Sequence, residues 1–283
     1  MGELSSQPAT AGQPFLALIR IHPIKSLDPV SLPACKIATR GGLEGDRVWA
    51  MYDAEGRWIN GKRSAAVHNL RAGYDLAAGA VTLSLPGPAA PATFRLPGEV
   101  ARAEAWLSEY FGQGVALRHH PQGFPDDTNA PGPTVISTAT LEAVCGWFPA
   151  RPGGPACAGR PGMTLLSARE RFRTSLEISG VPAFWEDQLF AADAGKVVPF
   201  RIGNVLVEGV NPCARCVVPS RDPQTGAVIA SFTAQFSAAR QANLPAWSPA
   251  GRFDHYFRLA VNTRIAASEW GKTLRVGDSV ALL

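Results

Sequence analysis

The sequence predicts an α+β protein that is predominantly β, with its strands in a barrel-like arrangement. Short segments of alternating or continuous apolar residues recur along most of the chain, which is typical of strands. The 283 residues include 24 Pro and 28 Gly, so we expect many short elements separated by turns. Few segments have the apolar spacing of a helix. Together these observations favour a strand-rich fold with few helices.

The first half of the chain alternates predicted strands with tight turns. An apolar segment over 15–21 is the first strand, and His22-Pro23 ends it. Further predicted strands, several of them joined as hairpins, cover 30–40, 47–52, 57–59, 71–76 and 80–85. The spacing of Val100, Ala103 and Leu107 predicts a helix over 99–111, and a short strand over 115–119 follows it.

The second half begins after a polar segment over 123–133, rich in Pro and Gly, which is typical of a domain junction or a ligand loop. Ser137 as an N-cap predicts a helix over 137–148, and a second short helix is expected over 165–172. Predicted strands follow over 176–179, 197–202, 204–210, 227–232, 254–260 and 273–282. We therefore divide the chain into a disordered tail (1–14), a first domain (15–125) and a second domain (126–283) with a surface insertion over 149–162.

Composition excludes several classes of protein. The chain is 46% hydrophobic and 18% charged, which suits a sizeable core rather than global disorder. A net charge of +4 without clustered basic residues does not indicate nucleic-acid binding. No apolar run is long enough for a membrane span, and 1–14 lacks the apolar segment of a signal peptide. The five cysteines are odd in number and unevenly spaced, so we expect a reducing, cytoplasmic location rather than a disulfide framework.

Cys213 and Cys216 are the residues in which chemistry is most expected. They flank an arginine and precede a predicted turn, and a thiolate is both a soft metal ligand and a good nucleophile. Three other interpretations stay open: half of a zinc site with His255 nearby, a dithiol redox pair, or simply packed thiols.

A second group of residues suggests a site for phosphate. Lys25 and Ser26 follow the end of the first predicted strand, and Arg47 begins a strand that can lie beside it. A lysine, a hydroxyl and an arginine that converge form a typical phosphate-binding set, although lysines at turns are usually only solvated. Arg173, at the start of another predicted strand, can also reach an anion. By contrast, His119 and His120 would point to opposite faces of a strand and make a poor metal pair.

Several short motifs also occur in a characteristic order. They are Ile-His-Pro-Ile-Lys-Ser at 21–26, Gly-Asp-Arg-Val-Trp at 45–49, Phe-Trp-Glu-Asp at 184–187, Arg-Ile-Gly at 201–203, Pro-Cys-Ala-Arg-Cys at 212–216, Asp-Pro-Gln-Thr-Gly at 222–226, Tyr-Phe-Arg-Leu at 256–259 and Leu-Arg-Val-Gly-Asp at 274–278. In this order they resemble the motifs of MOSC-domain proteins with a MOSC N-terminal β-barrel domain. The chain is similar in this respect to the mitochondrial amidoxime-reducing component and its bacterial relatives.

The resemblance implies a molybdenum cofactor, that is, molybdenum held by molybdopterin. Cys216 matches the family's metal-binding cysteine, which makes it the implied metal ligand and catalytic residue. Lys25, Ser26 and Arg47 match the family's phosphate contacts. Other implied cofactor contacts fall on Arg173, Ser175, Ala214, Arg215 and Tyr256, with a further one in the loop 127–129. This chain departs from its relatives at 173–175, where they usually have Arg-Pro-Asn, and in the insertion over 149–162.

The activity that the resemblance implies is the two-electron reduction of N-oxygenated compounds such as hydroxylamines and amidoximes. No Cys-x4-Cys-x2-Cys segment for an iron–sulfur centre is present, so we expect the electrons from a separate protein of ferredoxin, flavodoxin or cytochrome b type. The alternative is a molybdenum-cofactor carrier or sulfur-transfer module without substrate turnover, since MOSC domains also end cofactor sulfurases. We see no aminotransferase-like domain, and so expect no pyridoxal-phosphate chemistry.

Overall fold

The computed structural model of the chain describes residues 12–150 and 162–283. Apart from their edge residues, the predicted tail over 1–14 and the predicted insertion over 149–162 lie outside the described residues.

The described residues form fifteen strands and four α-helices, connected by turns and short 3-10 segments. The strands are β1 (Phe15–Ile21), β2 (Val30–Leu32), β3 (Ala34–Lys36), β4 (Trp49–Tyr52), β5 (Arg71–Asp75), β6 (Ala80–Ser84), β7 (Ala92–Arg95), β8 (Ala116–His119), β9 (Val135–Ser137), β10 (Leu176–Ser179), β11 (Val198–Ile202), β12 (Val205–Ala214), β13 (Arg258–Arg264), β14 (Thr273–Arg275) and β15 (Val280–Leu282). The helices are α1 (Val100–Phe111), α2 (Thr138–Trp147), α3 (Leu165–Phe172) and α4 (Phe232–Ala242).

The largest sheet joins both ends of the described chain, in the order β15-β11-β12-β13-β9-β10-β1-β2. Its neighbouring strands are antiparallel except for β9 and β10. The N–H of Leu16 donates to Asp278 O and that of Val280 to Pro14 O, both at 2.8 Å, so β1 also meets the start of β15. The sheet therefore closes on itself as a barrel, which leaves fewer exposed strand edges.

Apolar side chains fill the inside of this barrel. Leu16, Ile19, Val135, Phe200 and Val207 are fully buried in one cluster that spans strands from the two halves of the sequence. Each such side chain contributes roughly 1.5–3 kcal/mol on burial, so the barrel core is a major source of stability.

Two further cores lie outside the barrel. The sheet β5-β6-β7 and the pair β4-β8 pack with α1 around Leu70, Leu83 and Leu107. Helices α2, α3 and α4 pack around aromatic rings, among them Phe148 and Phe232, which stack with ring centroids 4.5 Å apart.

Most predicted elements are confirmed, and the predominantly β, α+β class is correct. Helices α1, α2 and α3 occupy the predicted helical segments, and Ser137 accepts a hydrogen bond from the N–H of Thr140 as the expected N-cap. The predicted strand over 30–40 divides at Pro33, which has no N–H to donate. Its first part, β2, pairs with β1, whereas β3 pairs with β14.

The prediction of a strand over 227–232 is wrong. Only Val228 makes a bridge, to Arg221 across a tight turn, and α4 begins at Phe232. The predicted strand over 254–260 lies four residues too early, because β13 begins at Arg258. The segment predicted as a strand over 273–282 contains two strands, β14 and β15, which do not pair with each other; β14 pairs with β3 and β15 with β11.

No helix among the described residues is both long and apolar enough to cross a membrane. The domain boundary expected at 125/126 stays a prediction, because β1 and β2 share the large sheet with strands of the second half.

Candidate functional site

A cavity of about 770 Å³ lies where segments from both halves of the sequence meet. Its walls come from the loop after β1, the residues before β4, the loop that precedes β9, the end of α3 and the end of β12. The volume is in the usual range for a small-molecule or cofactor site.

The loop after β1 and the residues before β4 are held together by backbone hydrogen bonds. The N–H of Lys25 donates to Trp49 O and that of Arg47 to His22 O, each at 2.8 Å. Ser26 and Arg47 have left-handed backbones, with φ of 77° and 53°. Such conformations are uncommon for residues other than glycine and concentrate at functional sites. The fold thus brings Lys25, Ser26 and Arg47, the three residues proposed for a phosphate site, to the wall of the same cavity.

Asp126 lies between the two cations of this set. One of its carboxylate oxygens is 2.7 Å from Lys25 Nζ, and the other is 3.8 Å from Arg47 Nη2. Burial alone would raise the pKa of Asp126, but the charges of Arg47 and Lys25 outweigh it and hold that pKa well below its usual range. The Asp126 carboxylate therefore already bridges the two cations, in the manner that we expect of a phosphate group.

Arg173 forms the neighbouring part of the wall. It follows α3 with a left-handed φ of 50°, and its Nη2 donates to Leu27 O at 2.7 Å. Burial and the nearby charge of Arg47 lower the pKa of Arg173 to about 10. Cations held so close together in a partly buried wall favour an anionic ligand.

Cys213 and Cys216 line the same cavity as free thiols. Cys213 lies in β12 opposite an irregularity of β13, where Pro212 pairs with Val261 but Ala214 pairs with Arg258. The extra residue in β13 includes Ala260, whose φ is 67°. Such bulges bend a strand and redirect its side chains, and they are frequent beside active sites. Cys216 lies two residues beyond the end of β12.

Arg215, between the two cysteines, is held by the backbone of neighbouring elements. Its Nε donates to Leu259 O at 3.0 Å and its Nη1 to Phe172 O at 3.1 Å. Its Nη2 is buried and has no hydrogen-bond partner within 12–150 and 162–283. A buried donor without an acceptor costs about 1–3 kcal/mol, so this side chain is suited to a ligand that supplies one.

Seven of the nine residues proposed from the sequence line this cavity: Lys25, Ser26, Arg47, Arg173, Ala214, Arg215 and Cys216. Ser175 does not. It is 2% exposed, and its N–H donates to Thr134, which itself forms part of the wall. Tyr256 does not line the cavity either, since its ring stacks on Phe253 at 5.8 Å and packs against the barrel core. Of the loop 127–129, Asp127 and Thr128 line the cavity.

The sequence analysis missed other charged residues of the wall. Ten cationic side chains and four carboxylates line the cavity, although the whole chain carries a net charge of only +4. The residues not singled out include Asp28, Lys62, Arg71, Asp126, Arg171 and Arg221. Their positions along the sequence give no sign of this convergence, which depends on contacts between distant segments.

The residues present fit a molybdenum cofactor. The surplus of cations and the unpartnered donor of Arg215 suit a phosphate-bearing pterin, and Cys216 offers a soft thiolate ligand. A closed zinc site has less support, because the described part of the chain contains no cluster of three or more His, Cys, Asp or Glu residues arranged to hold a metal.

Comparison with known families agrees with this geometry. Residues 14–115 match the family model of the MOSC N-terminal beta barrel domain, and residues 158–281 match that of the MOSC domain. No curated protein sequence matches the chain. MOSC domains are associated with proteins that bind the molybdenum cofactor. The chain is therefore a MOSC-domain protein with a MOSC N-terminal beta barrel domain.

Proposed function

We propose that this protein is a molybdenum-cofactor-dependent oxidoreductase that reduces N-oxygenated compounds with electrons from a separate redox protein. The observation that carries the proposal is one cavity that combines two thiols with the cationic set of Lys25, Arg47 and Arg173. The motif order, which resembles that of the mitochondrial amidoxime-reducing component, supports the choice of reaction.

The chain's own residues would hold the cofactor at two places. Lys25, Ser26 and Arg47 would donate to its phosphate group, taking the place of the Asp126 carboxylate. Cys216 would supply a thiolate to the metal, while Arg215 offers a buried N–H alongside. When bound, the cofactor supplies a metal centre for two-electron chemistry. The protein would then orient this centre and leave the cavity open for a small substrate.

The test is a reductase assay on full-length protein loaded with the molybdenum cofactor. With reduced viologen as electron source, we expect conversion of an aromatic amidoxime to the amidine, and loss of that activity in Cys216→Ser. Wild-type protein that carries molybdenum yet shows no turnover with amidoximes, hydroxylamines or N-oxides would refute the proposed reaction and favour a cofactor carrier.

A further inference from the structure

The cavity contains a second group of basic residues apart from Lys25 and Arg47. Arg71, on β5, and Arg221, in the segment after β12, both line it. Arg71 Nη2 donates to Pro223 O at 3.1 Å, so its guanidinium lies beside the segment that carries Arg221. His68 is close to both arginines and to Arg173, and burial together with these charges lowers the pKa of His68.

Both arginines have hydrogen-bonding capacity left over. The Nε atoms of Arg71 and Arg221 are buried and lack a partner within 12–150 and 162–283. The other nitrogens of Arg71 are used, because it pairs with Asp28 at 3.3 Å and contacts Gln224 at 3.2 Å. Within the described residues, the side chain of Arg221 donates one long bond, 3.3 Å, to Gly226 O and makes no ion pair with a carboxylate.

The nearby carboxylates do not satisfy these donors. Asp28 is engaged by Arg71, and Asp222 accepts from its own turn at Gln224 and Thr225 and pairs with Arg171 at 3.3 Å. Glu170 accepts from the Gln224 side chain at 3.3 Å. Among residues 12–150 and 162–283 these two buried N–H groups have no acceptor, so a ligand in the cavity is suited to supply one.

We propose that Arg71 and Arg221 form a second anion subsite, which binds a phosphate group carried by the substrate. Arg71 and Arg221 belong to two separate elements that line the same cavity, and Arg173 is a third cation of its wall. Three terminal oxygens of a phosphate serve donors from several directions better than the two coplanar oxygens of a carboxylate. The subsite stands on the geometry alone; that its ligand is the substrate rests on the proposed function.

The subsite is tested by titrating full-length protein, as purified, with inorganic phosphate in a calorimeter, while molybdenum is measured in the same sample. A loaded protein should bind one added phosphate, and a molybdenum-free protein should bind two. In both loaded and molybdenum-free protein, Arg221→Gln should lose one of the bound phosphates or bind it roughly tenfold or more weakly. Arg95→Gln, which removes an exposed arginine of β7, should change nothing.

The outcomes separate the two proposals. Protein that is purified without molybdenum from a molybdenum-replete host would contradict the proposed function, whereas its binding of two phosphates would still support the subsite. Unchanged stoichiometry and affinity in Arg221→Gln would overturn the subsite, whatever the molybdenum content. If Arg221→Gln does not fold, the wild-type stoichiometry decides: a single phosphate in molybdenum-free protein, or none in loaded protein, contradicts the subsite.

For a loaded and active enzyme, the subsite also makes a kinetic prediction. Arg221→Lys should raise the KM for a hydroxylamine whose carbon skeleton carries a phosphate ester, but not for the same hydroxylamine without the phosphate.

Discussion

Ser26, Arg47 and Arg173 share one unusual property: each has a left-handed backbone, with φ of 77°, 53° and 50°, and each lines the same cavity. A residue with a Cβ loses on the order of 1 kcal/mol or more in this conformation. The surrounding hydrogen bonds maintain it, as in the bond from Arg47 N to His22 O at 2.8 Å. This backbone strain at three donor residues is what we expect of a site built to hold an anion.

The phosphate contacts lead to a pair of opposite predictions. Lys25→Ala/Arg47→Ala should weaken cofactor retention roughly tenfold or more, because a charge-assisted hydrogen bond contributes about 1.5–3 kcal/mol. Asp126→Asn should strengthen retention, because it removes the carboxylate that occupies the same two cations. The measurement is molybdopterin content after dialysis, with Arg95→Ala as the control. Equal content in wild type and the double variant would exclude these phosphate contacts.

The two cysteines should behave differently. A serine hydroxyl is harder than a thiol and far less readily deprotonated, so Cys216→Ser should lose the metal–sulfur bond and the reductase activity. Its cofactor can still be retained through the phosphate contacts. Cys213→Ser should fold, keep molybdenum and retain much of its activity. X-ray absorption of both variants, loaded identically, reports the metal–sulfur distance. An inactive Cys213→Ser beside an active Cys216→Ser would reverse the assignment.

At the scale of elements, helix α4 shows where sequence reasoning fails. Its buried face carries Phe232, Phe236 and Arg240, so a charged residue interrupts the apolar pattern. The partner of Arg240 is Asp187, 53 residues earlier in the chain, and both side chains are buried. Helices α1, α2 and α3 were predictable because their own spacing and caps identify them, whereas the buried position of Arg240 on α4 is understood only from its distant partner.

The same argument applies to the site. Lys25, Ser26 and Arg47 could be grouped from their residue types and from their positions beside predicted strands. Asp126, Arg71 and Arg221 could not, because their roles depend on which loops meet across the barrel. Ser175 lies only two residues after Arg173, yet it does not line the cavity. It is buried, and its N–H donates to Thr134.

The 3-10 segment Trp185–Leu189 gives a prediction about pH. Glu186 is 1% exposed, and burial with the adjacent charge of Asp187 raises the pKa of Glu186 to about 7. In the unfolded chain this carboxyl titrates near 4.5. Between pH 4.5 and about 7, the folded state therefore keeps a proton on Glu186 that the unfolded state has lost. The free energy of unfolding should therefore fall as pH rises through this window, by roughly 3 kcal/mol at most.

Glu186→Gln should remove this part of the pH dependence, because an amide does not titrate. We expect the variant to gain stability relative to wild type between pH 5 and pH 8 in chemical denaturation. Glu109→Gln, on the exposed face of α1, is the matched control. If the free energy of unfolding rises with pH across this window, and by the same amount in wild type, Glu186→Gln and Glu109→Gln, then Glu186 has no such role.

At the scale of the whole molecule, the cavity is built from both halves of the sequence, and the barrel is closed by β1 from the first half. Neither half would therefore present the complete set of ligands alone. The segment that follows Cys216 reaches the first half through Arg71, whose Nη2 donates to Pro223 O. The described residues leave the cavity open to a small substrate.

We predict that the electrons come from a separate redox protein. No cysteine cluster suited to an iron–sulfur centre occurs in the sequence, and no glycine-rich fingerprint follows a strand to bind NAD(P)H or flavin. The purified protein should thus not oxidise NADH by itself, yet it should turn over with reduced viologen. Absorbance at 340 nm during incubation with an amidoxime checks this. NADH consumption by homogeneous protein would show that the chain takes electrons without a partner.

The central claim is that this cavity holds a molybdenum cofactor, and metal analysis tests it most directly. Full-length protein purified from a molybdenum-replete host should contain close to one molybdenum and one molybdopterin per chain, without stoichiometric zinc. A host that loads a second, known molybdenum enzyme in parallel provides the control. Stoichiometric zinc with no molybdenum, or neither metal while the control enzyme is loaded, would contradict the account.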